Sequence, residues 1–212
     1  MRRGRKKVEK PETARRILAA AERIFAERGL AGARTDEITA AAHANKAMLY
    51  YYFRDKRRLH RAVLENLFSQ LRSAVQAAGP ANGTPRDYLL AYVNGYFDFV
   101  STHPNYPRLV QRVVMESGPD LEWMVQQFFR PFHRRLCRRI EEGMAAGEFR
   151  TVDASQTVIT IIATTVFYFA AAPVLSRVLG HAALRPQAVA ARKRAILEFL
   201  SRGLFLAEAK AS

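Results

Sequence analysis

The chain has 212 residues, 49% of them apolar, and a formal charge of +15 from 34 basic and 19 acidic side chains. That composition excludes a disordered protein and is long enough for one or two domains with a real core. The positive excess favours a polyanionic partner, and it is concentrated in residues 1–60, which hold 16 basic and 7 acidic side chains, a net +9.

In chain order, residues 1–12 form a basic arm containing Arg2, Arg3, Arg5, Lys6 and Lys7. No apolar run comes after the arm, so it does not read as a secretory signal. A first helix is predicted from Thr13 to about Arg28, with Ile17, Leu18, Ala21, Ile24 and Phe25 on one face. Gly29 is the expected stop. A short second helix spans about 35–42, a third begins after Asn45 and reaches about Phe53, and Asp55 caps a fourth whose Leu59, Val63, Leu67 and Leu71 recur every four residues. The turn cluster "GPANGTP" at 79–85 separates the fourth helix from the fifth. Thr84 and Pro85 open that fifth helix, which runs to about Thr102, and a sixth is expected near 106–116. A long helix capped by Asp120 should run to about Ala146, with a kink at Pro131 and a stop at Gly147. Asp153 caps an apolar helix that Pro173 bends, and Pro186 opens the last helix, to about Leu206. No strand alternation of useful length occurs. The predicted fold is all-α, with about nine helices: a basic arm at 1–12, a domain of short helices with helix-turn-helix layout at 13–58 and a larger helical C-terminal domain at 59–212.

The uncharged run at 157–175 is almost long enough to span a membrane. It contains four threonines and a proline, and a helix apolar all round also suits a core or a subunit interface. No membrane association is expected. The single cysteine, Cys137, excludes an internal disulfide and fits a reducing cytoplasm; within a helical apolar pattern it reads as packing rather than as a redox sensor.

The layout of 35–53, two short helices around a three-residue turn, has helix-turn-helix spacing, in which the second helix enters the major groove. A helical wheel at ~100° per residue resolves the aromatic run in "NKAMLYYYF". Leu49 and Phe53 share an inward face, Ala47 and Tyr51 point outward, Met48 and Tyr50 flank them, and Tyr52 leans toward the core edge. Asn45 suits the N-cap of this helix. Lys46 is placed to reach a phosphate or a base edge, and Ala47 and Met48 to meet thymine methyl groups. Arg34 and Thr35 stand at the start of the second helix, where a hydroxyl and a free backbone N–H bind phosphate. Lys56 would hold the backbone on the other flank.

The stretch "TARRILAAAERIFAERGLAGARTDEITAAAHANKAMLYYYFRDKRRL" resembles the N-terminal DNA-binding domain of the TetR/AcrR family of transcriptional regulators. The resemblance is nearly continuous over 13–60 and rests on "IL.AAERIFAERG", "TDEI" and "NKAMLYYYF" followed by "RDK". It implies a homodimer that binds a pseudo-palindromic double-stranded DNA operator, with an all-helical C-terminal half holding an effector pocket, usually as a repressor released by a small molecule. By position it implies that Thr35, Tyr50 and Lys56 meet phosphates and that Lys46, Ala47, Met48 and Tyr51 face bases. Two positions depart from the pattern: His43 stands where the family often has glycine, and Asn45 where it usually has serine or threonine.

Beyond residue 60 the resemblance is weaker. Aromatics crowd the fifth and seventh helices, and Tyr92, Tyr96, Trp123, Phe128, His133 and Tyr168 are candidate contacts for a small apolar or aromatic effector. Asp98 and Glu116 would serve a cationic ligand, Arg108 and Arg112 an anionic one. The helices near 154–179 and 186–206 are the expected dimer interface. No catalytic triad order, metal-ligand spacing or phosphate loop is present, and His43, His60, His103, His133 and His181 lie on separate elements. Neither an enzyme nor a cofactor is expected. A nucleoid-type protein that binds DNA without sequence preference is the alternative.

Overall fold

Every regular element in residues 12–80 and 82–206, which the computed structural model describes, is helical. Among the described residues the β pairing is a single bridge between Phe149 and Phe205. The contacts fall into two units, residues up to Asn66 and residues from Leu67 on. The arm residues Arg2, Arg3, Arg5, Lys6 and Lys7 lie outside the described residues.

In the first unit, α1 (Glu12–Gly32), α2 (Thr35–Ala41) and α3 (Lys46–Phe53) pack on one another, and the start of α4 (Lys56–Ala77) completes the core. Gly29 breaks α1 as expected: its φ of 70° needs a residue without Cβ, and one further turn continues to Gly32. Ile17, Ala21, Phe25, Ile38, Leu49, Leu59 and Leu64 are buried together. Each large one contributes roughly 1.5–3 kcal/mol by leaving water. The His60 ring meets Phe25 edge-on at 4.9 Å.

The turn between α2 and α3 is a Schellman motif. The Ala44 N–H donates to the Thr39 carbonyl at 2.9 Å and the His43 N–H to the Ala40 carbonyl at 3.1 Å. His43 takes the left-handed position with φ 48°. A histidine costs about 1 kcal/mol there relative to glycine, and the two bonds offset that cost.

In the second unit, α5 (Pro85–Thr102) is the central element and touches α8, α9 and α11. It opens with a reciprocal capping box: the Asp87 N–H donates to Thr84 Oγ1, and the Thr84 N–H to Asp87 Oδ2. Leu89, Tyr92, Val93, Tyr96, Phe97 and Val100 line its buried side. α6 (Asn105–Glu116) comes next.

The expected helix from Asp120 to Ala146 is instead three pieces: α7 (Pro119–Met124), a π-helical turn (Val125–Phe129) and α8 (Arg130–Ala145). Pro119, not Asp120, opens it, with Gly118 at the cap position. Pro131 has no N–H to give the carbonyl four residues back and its ring crowds that carbonyl. The chain widens just ahead of it, and the Arg130 N–H reaches back to the Val125 carbonyl.

The apolar run also splits, into α9 (Ala154–Ala170) and α10 (Ala172–Val178), bent by 76° ahead of Pro173. No single helix among the described residues is long and apolar enough to cross a membrane, though this bent pair passes by length and composition. One side of α9 buries Val158, Ile161, Thr165 and Phe169, and Thr160, Thr164 and Thr165 return their hydroxyls to carbonyls one turn back. α11 (Pro186–Gly203) ends the helices, and Phe205 stacks on Phe149 at 5.2 Å.

Candidate functional site

The wheel expectations for α3 match its geometry. Leu49 and Phe53 are buried, Tyr52 is half-buried, and Tyr51 is 78% exposed. Ala47, Asn45 and Lys46 are exposed or half-exposed, Tyr50 is 45% exposed, and Met48 is half-buried. Asn45 caps the helix, its Oδ1 accepting the Met48 N–H at 2.8 Å. At the start of α2, Arg34 is exposed and Thr35 half-buried, and no side chain caps that helix. The outer side of α3 and the first turn of α2 therefore present polar atoms and free helix-end N–H groups to solvent.

Two lysines are engaged in ways that spacing does not reveal. Lys46 Nζ pairs with Asp36 Oδ1 at 2.7 Å. The hydrogen bond and charge of Asp36 raise the Lys46 ammonium above its ordinary pKa. Lys56 turns back onto the link between α1 and α2, donating to the Ala33 carbonyl at 3.0 Å and the Ala31 carbonyl at 3.3 Å. Two of its three N–H groups thereby brace the first unit. Lys56→Met keeps the stem and removes these bonds, so it should cost about 1 kcal/mol of stability in urea unfolding; an unchanged midpoint would mean the bonds are idle.

The second unit gathers a set of aromatic rings. Tyr92 lies 5.9 Å from Tyr96 and 5.2 Å from Phe132, centre to centre, and Tyr96 lies 6.3 Å from Tyr106. Phe128 stacks flat on Phe68 at 4.3 Å, and Trp123 meets Phe128 edge-on at 5.4 Å. Phe68 also meets Tyr106, so Tyr92, Tyr96, Trp123 and Phe128 belong to one connected cluster. Burial pushes the Tyr92 hydroxyl up to about 12, against the opposing effect of Thr165, whose hydroxyl lies 3.4 Å away. Burial likewise raises Tyr96 and Tyr106.

Residues 17–63 match the bacterial regulatory proteins of the tetR family, and residues 85–200 match the tetracyclin repressor-like C-terminal domain. The chain belongs to the TetR family. The members of that family are bacterial regulatory proteins. Similar TetR-type proteins include the transcriptional repressor NicS of Pseudomonas putida, 29% identical over 63% of this chain and 64% of that protein. The repressor SCO4008 of Streptomyces coelicolor is 35% identical over 50% of this chain and 52% of its own length. The activator FasR of Mycolicibacterium smegmatis is 35% identical over 44% of this chain and 43% of its own. The chain thus spans about half the length of the curated relatives it matches. Among solved structures, a transcriptional regulator from Saccharomonospora viridis in complex with choline superposes with a TM-score of 0.75, at 18% identity over 92% of this chain and 99% of that one. The ketosteroid regulator KstR2 of Mycobacterium tuberculosis gives 0.73, at 17% identity over 94% and 98%. These two likenesses show the fold.

In this TetR-family chain, two expected effector contacts have polar partners of their own, and Tyr168 reaches the aromatic cluster through Phe169. His133 Nε2 lies 3.2 Å from Ser155 Oγ and its ring 3.7 Å from Cys137 Sγ, which ties α8 to the start of α9. Tyr168 gives its hydroxyl to the Ala183 carbonyl, and Arg192 lies over its ring at 5.8 Å. Burial first, then the charges of Glu141 and Asp153, raise the Cys137 thiol, so it stays protonated at neutral pH. Asp98 is exposed and held by Lys193 at 2.8 Å, while Glu116 and Arg108 are exposed. Among the described residues no group of three or more His, Cys, Asp or Glu side chains is placed to hold a metal ion. Sequence reasoning missed Phe68 and Tyr106, which join the cluster from α4 and α6; the four-residue repeat of Leu59, Val63, Leu67 and Leu71 passes Phe68 by.

Proposed function

We propose that this TetR-family chain is a sequence-specific DNA-binding transcriptional regulator: a repressor, working as a homodimer and released from a pseudo-palindromic operator by a small apolar or aromatic effector. The observation that carries this reading is the division of α3, with Leu49 and Phe53 buried and Ala47 and Tyr51 outside. An eight-residue helix with small and aromatic side chains on its open face fits the ~12 Å major groove. Ala47, Met48 and Tyr51 then meet base edges, while Arg34, Thr35 and Tyr50 meet phosphates. Lys46 presents its charge from where Asp36 holds it, Asn45 fixes the start of the helix, and Lys56, while bracing the α1–α2 link, gives its remaining N–H to a phosphate.

Exposed Ile159, Phe167, Val174, Val178 and Phe199 on α9, α10 and α11 support dimerisation, since a second copy would remove them from water. α4 gives Leu59 and Leu64 to the first unit's core and Leu67 and Phe68 to the second's. A ligand that moves the aromatic cluster moves α4 and changes the separation of two reading heads. The effect is the difference in how ligand and DNA favour two states.

Selection of bound duplexes from a random pool tests the reading. The expected product is a palindrome whose half-sites lie ~34 Å apart or a multiple of one turn. Equal retention of all sequences would overturn it in favour of a non-specific nucleoid-type binder.

A further inference from the structure

We propose that the aromatic cluster of the second unit binds an uncharged ring-containing ligand with one hydrogen-bond acceptor, and that the Tyr96 hydroxyl is the donor to that acceptor. The proposal rests on the reading of this cluster as the effector site and names the class of ligand it takes.

Tyr96 is 2% exposed, and its hydroxyl has no hydrogen-bond partner. Its neighbours differ: the Tyr92 hydroxyl has Thr165 and the Tyr168 hydroxyl has the Ala183 carbonyl. A phenylalanine would fill the space among Tyr92, Phe97, Tyr106 and Phe169 without an orphaned donor. The oxygen is therefore costly to the empty protein and useful only when something supplies an acceptor.

The surroundings favour an uncharged ligand. Burial keeps the Tyr92, Tyr96 and Tyr106 hydroxyls protonated, and an interior that penalises a phenolate also penalises a bound ion that finds no counter-charge. Asp98 is exposed and spent on Lys193, so it offers no buried counter-charge. Arg192 donates one N–H to the Thr164 carbonyl and lies over Tyr168 with its buried Nε–H unpartnered, and it is not among the side chains whose rings meet Tyr96. A cation held by aromatic rings needs their faces turned toward one point. Here the rings meet edge to face instead: Phe68 with Tyr106 at 80°, Tyr96 with Tyr106 at 75°, Phe99 with Tyr106 at 81°.

The way in is the π-helical turn. None of its residues is buried, and Trp123, Phe128, Phe129 and Phe132 are all half-buried. Phe128 lies flat on Phe68, with only 9° between the planes. A flat ligand ring takes the same stacking place as Phe128 swings outward, and the wide hydrogen-bond pattern of the turn permits that movement.

Four probes sharing one ring test this on the full chain by calorimetry and thermal shift: acetophenone, ethylbenzene, benzoate and benzyltrimethylammonium. Acetophenone should bind most tightly, exceeding ethylbenzene by roughly five- to tenfold. Tyr96→Phe should abolish that difference while leaving ethylbenzene unchanged, and should melt no lower than wild type when empty. Tighter binding of either ion, an equal loss for both neutral probes, or no binding by any of the four would overturn the proposal. An operator recovered by duplex selection alongside such a failure would leave the regulator reading standing, so the two failures are distinguishable.

Discussion

Gly95→Ala is expected to destabilise the second unit by about 2 kcal/mol. The added Cβ would stand 2.6 Å from Val75 Cα and 2.8 Å from both Val75 N and the Ala74 carbonyl oxygen. These are backbone atoms of α4, so no side-chain rotation relieves the contact, and α4 and α5 must part. Parting them disturbs Tyr92 and Tyr96, which flank Gly95 on the buried side of α5. Alanine's better helix propensity returns up to ~1 kcal/mol, which is why the net falls below the full cost of overpacking. For a chain of this size the melting temperature should drop by roughly 4–8 °C. Gly203→Ala is the control, because a Cβ there meets nothing within 4 Å. If both variants melted like wild type, the close approach of α4 and α5 would be wrong.

Leu49→Ala and Tyr51→Ala, two residues apart on α3, should fail in opposite ways. Leu49 is fully buried, so truncation leaves a cavity and costs about 2–5 kcal/mol. That is a large fraction of a typical folding stability of about 5–15 kcal/mol, so the urea midpoint should fall sharply and DNA binding should weaken with it. Tyr51 is 78% exposed, and its ring contact is with neighbouring Tyr52 at 5.1 Å. Its loss should leave the urea midpoint within about 0.5 kcal/mol of wild type. The base preference should nevertheless relax at one position of each half-site, with a loss of ~1–3 kcal/mol against the preferred duplex. Should Tyr51→Ala select the same operator at the same affinity, α3 would not be the reading helix.

Much of this was legible in the residues because its causes are local. Asn45, Thr84 and Asp153 each cap a helix by accepting an N–H three residues on. Leu49 and Phe53 lie on one side of α3 because the helix repeat puts them there. Gly29 and Gly147 hold positive φ where the pattern placed stops. Such signals act within one or two turns of backbone, so composition and spacing suffice to read them.

What lay beyond the sequence has partners far away in the chain. Lys56, expected at a phosphate, is also tied to carbonyls 25 and 23 residues earlier. His133 and Tyr168, expected to line the effector site, also join neighbouring segments across 22 and 15 residues. Only the packing of α4, α5, α6 and the π-helical turn decides that Tyr96 has an unpartnered hydroxyl and Phe128 a flat partner. The sequence alone determined the all-helical fold and the outward side of α3, since backbone geometry enforces both. Tertiary structure decided which polar groups are occupied, because a long side chain chooses among acceptors that only the folded chain brings within reach.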